Sequence, residues 1–361
     1  MDTLAQFFST CQQWLFETVV QPVLFHLGMA SVIEDAYDAT MWLLVGLIQI
    51  AILLLVFGPL QRLRPVEAVR DRQQIGVDVI YTLVHRLGLF RVALFFAVDP
   101  LFDALFGQFH LWGLATFQLD QVWHGVTDGP WTSLLLYLLL FDLVDYLYHR
   151  AQHRFGWLWA LHSLHHSQRQ MTMWSDNRNH LLDDMLRDAV IVVVSQLVGV
   201  PPAQFVAIVA ITQLVESLSH ANLRVGFGRW GSRLVVGPRF HREHHSIAYD
   251  ASSPGPAGGY NFAALFPIWD ILGRTARFHG QYGPTGIHDQ LPENGGYDYG
   301  RGFWAQQWRG IERLFGRQAR AGDRSPPSSG TPAAEGRATV VAVAAPELSP
   351  ARPVAERAPA S

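Results

Sequence analysis

Apolar residues run almost without interruption from Met41 to Leu60, long enough to cross a bilayer. Arg62, Arg64, Arg70 and Arg72 follow at once. Ile75 to Val98 predicts a second span, although His85, Arg86 and Arg91 interrupt it. Arginines inside a span must be buried against protein or reach out to the interface. Trp131 to Tyr148 predicts a third span, which runs directly into His149. Ala189–Gly199 and Ala203–Leu218 are shorter apolar runs divided by Val200, Pro201 and Pro202. They predict a helical hairpin dipping into the bilayer, with one long kinked span as the alternative.

Between these runs the pattern changes. Residues 1–40 mix aromatics with Glu17, Glu34, Asp35 and Asp38 and read as a short amphipathic helix and a connector. Residues 99–130 are aromatic and glycine-containing, as at a membrane interface. The expected fold is all-α: an integral membrane helical bundle with a cytosolic helical cap. Three segments are expected: an N-terminal membrane-anchor region (1–130), a catalytic domain (131–318) and a disordered Pro/Ala-rich tail (319–361). Arg62 to Arg72 place their loop in the cytoplasm by the positive-inside rule. The second span then leaves the cytoplasm and the third returns, so His149 and the sequence after it face the cytoplasm.

Composition agrees with a membrane protein. Hydrophobic residues make up 49% and charged residues 16%, below the soluble norm of about 25%. A net charge of −3 without a basic stripe gives no case for nucleic-acid binding. Cys11 is the single cysteine, which excludes an internal disulfide or a cysteine-ligated iron–sulfur cluster. Every basic residue other than histidine is arginine; with abundant Ala, Gly and Pro this points to a GC-rich bacterial genome, and so to the inner membrane. The first residues lack the basic region of a cleavable signal peptide.

The chemistry lies in the histidines. Ten of the sixteen fall between His149 and His245, mostly in three clusters: His149/His153, His162/His165/His166 and His241/His244/His245. Residues three and four apart share a helix face, so each cluster can aim two or three imidazoles at one point. In the two His-x-x-His-His boxes, the first and last histidines flank one metal while the middle one can reach a neighbour. Neutral imidazole suits iron, copper and zinc, and eight clustered histidines exceed what one ion needs. A two-metal site is expected. His180 and His220 flank the hairpin, and both could return to the cluster. Asp142 and Asp145 share a helix face with His149 and His153 and are placed to orient them from behind; alternatively Asp145 and His149 simply pair. The remaining histidines are read as structural or solvated, His279 and His288 being the nearest to exceptions.

Two metals held by neutral ligands suit activation of O₂ for removal of a strong C–H hydrogen from a lipid. The alternative is a metal-dependent membrane hydrolase using a bridging hydroxide. Hydrolytic sites usually add bridging carboxylates, and Glu243 is the only acid inside a box. A non-enzymatic metal- or lipid-binding protein is a third reading.

The ordered set Asp145-x₃-His149-Arg150-x₂-His153, His162–His166, Arg178-x-His180, His220-x-Asn222, Pro238-x₂-His241-x₂-His244-His245, Tyr260-Asn261-Phe262 and Trp269-Asp270-Ile271-Leu272 resembles the fatty acid hydroxylase/sterol desaturase superfamily. The resemblance covers roughly residues 135–275. It implies a membrane non-haem di-iron oxygenase that hydroxylates or desaturates a lipid such as a sterol-like or fatty acyl substrate. It also implies two iron ions, zinc being a possible substitute, held by His149, His153, His162, His165, His166, His180, His220, His241, His244 and His245. Asn222, Asn261 and Asp270 are then expected behind the ligands, although Asp270 could instead cap a helix. The chain departs from the usual Phe-Gly-Thr after the last motif, reading Gly273-Arg274-Thr275. No dinucleotide fingerprint follows a strand, so electrons are expected from a separate ferredoxin or cytochrome with its reductase. The lipid is expected to enter from the bilayer, tail or ring system first, along an apolar channel.

Overall fold

The computed structural model describes residues 2–97, 99–113, 116–248 and 259–317; the tail segment 319–361 lies outside them. The helices are α1 (Asp2–Leu15), α2 (Gln21–His26), α3 (Ile33–Ile52), α4 (Gly58–Leu63), α5 (Arg72–Arg86), α6 (Leu89–Ala97), α7 (Asp99–Leu111), α8 (Pro130–Arg154), α9 (Gly156–His166), α10 (Leu181–Val198), α11 (Pro202–His220), α12 (Gly228–Leu234), α13 (Pro238–His244), α14 (Ile268–Leu272) and α15 (Phe303–Leu314). The fold is all-α, and no strand occurs among the described residues.

Among the described residues, three helical stretches are long and apolar enough to cross a membrane: Ala30–Leu63, Pro130–Arg154 and Pro202–His220. The first joins α3 to α4 through a π-helical turn at Leu53–Phe57. Leu47, Ile48, Leu54, Leu55 and Val56 point outward from it. Apolar area costs about 25 cal/mol per Å² in water and nothing comparable against lipid chains, so this outward band fits a bilayer.

The sequence reading of Ile75–Val98 as one span needs correction. The chain there is broken into α5 and α6 around Gly88, which takes φ 76° in the left-handed region. The break follows the polar residues. Arg86 is buried, donating to Asp176 (2.8 Å), Ser217 (3.0 Å) and Gln49 (3.0 Å). Arg91 lies over the Trp42 ring at 3.8 Å. A straight helix would carry these cations into lipid without partners. Gly46 allows the approach that makes this possible, because a Cβ there would overlap the Arg86 carbonyl.

α10 and α11 form the hairpin. Gly199 turns the chain at φ 62° and Pro202 starts α11, where its missing N–H costs nothing. α10 runs back along α8: Tyr148 donates to Asp183 at one end (3.1 Å) and Tyr137 to the Val198 carbonyl at the other (3.0 Å). Tyr137, Leu138, Phe141 and Ile208 form the core between α8 and α11. The carboxyl ends of α8 and α11 thus meet the amino end of α10, and α9 and α13 pack there.

The arginine-rich loop after α4 docks on the same end of the bundle. Asn222 accepts from Val66 and Glu67 N–H (3.0 and 3.1 Å) and donates to the Glu67 carbonyl (2.8 Å). Arg242 donates to Glu67 at 2.7 Å. The departure at Gly273–Arg274 also has a local cause. The Tyr146 hydroxyl fills the space a Cβ at 273 would need, and Arg274 takes the left-handed φ of 58°.

Candidate metal centre

α9 and α13 divide their histidines in opposite senses. His162 and His166, one turn apart on α9, join His149 and His153 of α8 and His244 of α13. His165 of α9 joins His220 at the end of α11 and His241 and His245 of α13. In each group the ligand nitrogens lie within 4.8 Å of one another. The outer pair of each box therefore serves one cluster and the middle histidine the other. Nine of the ten histidines expected as ligands come together.

Hydrogen bonds behind the rings fix which nitrogen faces inward. His149 Nδ1 lies 2.8 Å from the Phe262 carbonyl, His244 Nδ1 2.7 Å from the Tyr260 carbonyl and His220 Nδ1 2.8 Å from the Glu216 carbonyl. A carbonyl only accepts, so each Nδ1 carries the proton and Nε2 is left with its lone pair. His162 Nδ1 lies 3.2 Å from Asp183. Inside the clusters, Nε2 atoms face one another at 3.1 Å: His153 with His166, His165 with His220, His220 with His241, and His241 with His245.

This donor set fits metal ions. The Nε2 atoms of His149 and His162 are buried with no hydrogen-bond partner among the described residues, a costly arrangement unless something else satisfies them. Edges of 3.1 Å are those of a coordination shell with metal–nitrogen distances of about 2.0–2.1 Å. Burial, joined by repulsion from neighbouring imidazoles, holds His165, His166, His241, His244 and His245 well below the usual histidine range. They are neutral at pH 7, the state a metal ligand needs. Imidazole alone does not select iron over zinc.

His180 is not brought to either cluster, contrary to the expectation that it is a ligand. Its Nδ1 caps α10 by accepting from Leu182 N–H (3.2 Å), and its Nε2 donates to the Gln307 carbonyl (2.9 Å). Both nitrogens are engaged, and Gly310 packs against the ring.

The polar residues expected behind the ligands act at one remove. Asp145 does not meet His149; Arg187 grips it through two bonds of 2.8 and 2.9 Å. Asp142 accepts from Leu265 and Phe266 N–H (2.7 and 2.9 Å), Asp270 from Phe262 and Ala263 N–H (2.9 and 2.8 Å). Asn261, at φ 61°, bonds to the backbone of Phe240 and Arg277. Together these three hold the 260–266 loop, whose carbonyls orient His149 and His244. Asn222 instead ties down the arginine-rich loop.

The sequence pattern that defines the fatty acid hydroxylase family matches residues 134–275. An ornithine lipid hydroxylase of Rhizobium tropici is 29% identical over 153 residues, 42% of this chain and 44% of the relative. An alkylglycerol monooxygenase of Caenorhabditis elegans is 30% identical over 152 residues, 41% of this chain and 27% of the relative. Over residues 134–275 the chain is similar to the fatty acid hydroxylase family. The chain spans less than half the length of these relatives. No solved structure matches it.

Around the clustered histidines, the approach is not the apolar channel expected from the sequence. An inner cavity of about 70 Å³ touches His149, His162, His165, His220 and His241. An outer cavity of about 210 Å³ reaches between α6, α8, α10 and α11. Asp145, Asp176, Asn179, Asp184, Arg187 and Glu216 line both. Only the outer cavity has an extended apolar wall, including Phe90, Leu94, Phe141, Ile191, Phe205 and Ile208. Sequence reasoning missed Asp176, Asp183, Asp184, Arg187 and Glu216. The signal was available in the acidic start of α10, where Asp183, Asp184, Arg187 and Asp188 precede an apolar run.

Proposed function

We propose that this chain is a membrane-bound di-iron oxygenase that hydroxylates a lipid, using O₂ and electrons from a separate ferredoxin or cytochrome with its reductase. One observation carries the reading: two clusters of inward-facing imidazoles border an inner cavity that shares its polar wall with an outer cavity among membrane-type helices. Similarity to the family supports it, as do relatives whose names describe hydroxylation of an ornithine lipid and monooxygenation of an alkylglycerol.

Iron bound at the two clusters would supply the O₂ activation that side chains cannot. His149, His153, His162, His166 and His244 would hold one ion, and His165, His220, His241 and His245 the other. The protein's own part is to orient these rings, through Asp183 and the carbonyls of Glu216, Tyr260 and Phe262, and to bury them. Burial keeps water from a reactive site. In this reading residues 1–130 anchor the chain and 131–318 carry the catalytic machinery. The docking of the arginine-rich loop beside the site, taken with the positive-inside rule, supports a cytoplasmic-facing site, in a bacterial inner membrane on this reading.

Turnover under ¹⁸O-labelled O₂, with reductant and the lipids of the native membrane, is expected to place label in a new hydroxyl group. Label arriving from water, or turnover without O₂, sinks the oxygenase reading in favour of a hydrolase. An unlabelled product with a new double bond replaces hydroxylation by desaturation.

A further inference from the structure

The wall shared by the two cavities carries more acceptors than its cations satisfy. Asp145, Asp176, Asp184, Asp188 and Glu216 line the outer cavity, against Arg91, Arg187 and His85. Arg187 is committed to Asp145 and lies 3.5 Å from Glu216. Arg86, behind the wall, reaches Asp176 through Oδ2 only. Asp176 Oδ1 is buried without a hydrogen-bond partner among the described residues. Asp184 Oδ2 is in the same condition; His85 Nε2 is 3.3 Å away without hydrogen-bond geometry. Both aspartates are 9% exposed, and both line both cavities.

We propose that this shared wall is a head-group subsite for a cationic nitrogen, and that the substrate is a long-chain lipid bearing an amine. The proposal rests on the lipid hydroxylase reading and narrows its substrate. A protonated amine offers three N–H donors and one positive charge, which is what the orphaned oxygens of Asp176 and Asp184 lack. A neutral head brings no charge to the free oxygens of Asp176 and Asp184, and a phosphate or carboxylate head adds like charge to them, which is costly in a poorly hydrated site. The chain of the lipid fits the apolar wall of the outer cavity. Hydrocarbon pushed into the inner cavity would instead strip Asp145, Arg187 and Glu216 of water without replacing its hydrogen bonds. The polar end therefore lies nearer the histidine clusters than the chain does.

The test compares n-dodecylamine, n-dodecanol and n-dodecanoate as ligands of the metal-loaded protein in a neutral detergent, read by the ligand-induced rise in melting temperature. The amine is expected to bind about tenfold more tightly than the alcohol, and the carboxylate more weakly than either. Asp184→Asn and Glu216→Gln are each expected to erode the preference for amine over alcohol. Equal or tighter binding of the alcohol or carboxylate by the wild-type protein overturns the proposal, even if neither variant folds. So does an amine advantage that survives both substitutions, which would assign it to the micelle. The measurement needs neither O₂ nor reductant, so its failure is separable from failure of the oxygenase reading.

Discussion

His162 leans on Asp183 across 21 residues of sequence, with Nδ1 3.2 Å from the carboxylate. Gln152 donates to the same carboxylate at 2.8 Å, and Tyr148 at 3.1 Å. The aspartate is thus held by α8 while it orients a ring on α9. Asp183→Asn keeps the shape and removes the charge that makes His162 a better donor. Metal retention against a graded chelator is expected to weaken by about 10- to 100-fold. Retention equal to wild type would show that the carboxylate does not tune the ligand.

Substitution within the clusters should separate the two ions. His165→Ala removes one nitrogen from the group completed by His220, His241 and His245, and His244→Ala removes one from the other. Each is expected to abolish turnover and to lower metal content towards one ion per chain. His26→Ala and His124→Ala, both exposed, should leave metal content and turnover alone. Full metal content and activity in His165→Ala would remove that residue from the ligand set.

His180 gives the sharper contrast, because its loss should cost stability rather than metal. His180→Ala leaves the Gln307 carbonyl and the Leu182 N–H without their partner. The cost is about 1–3 kcal/mol, read as a lowered denaturation midpoint with metal stoichiometry intact. Loss of one metal ion with an unchanged midpoint would return His180 to the ligands.

Acid should destabilise the metal-free protein. Burial and mutual repulsion lower His165, His166, His241, His244 and His245. Unfolding returns them to the ordinary value of about 6.5. Between the folded values and 6.5 the unfolded chain binds more protons than the folded one, so stability rises with pH across that window. Chemical denaturation of the metal-free protein should show a midpoint that falls as pH drops from 7.5 to 5.5. A flat or rising midpoint would mean that the rings are not held neutral.

The three histidine boxes were readable because helical spacing is a local property: residues three and four apart share a face whatever the rest of the chain does. The helical class and two of the three expected spans were readable for a similar reason, since length and apolarity decide them. His180 and His220 looked alike in sequence, each a lone histidine beside the hairpin. Only the direction of the ring separates them, and α15, more than 120 residues further on, sets it for His180 through Gln307. Arg86 and Gly88 ended the second run because partners on α3, α11 and the segment before α10 drew the arginine inward. Asp183, Arg187 and Glu216 escaped notice because their partners lie on other helices, and no spacing rule connects them.

The opposed division of histidines between α9 and α13 means that neither cluster has a helix to itself. An ion seated among His149, His153, His162, His166 and His244 already fixes the rotation of both α9 and α13, and with it the aim of His165, His241 and His245. Part of the ordering entropy of the second seat has then been spent by the first. Loading of two ions would thereby be cooperative: the half-filled protein would be the scarce species, and the chain would pass from empty to full over a narrow range of metal concentration.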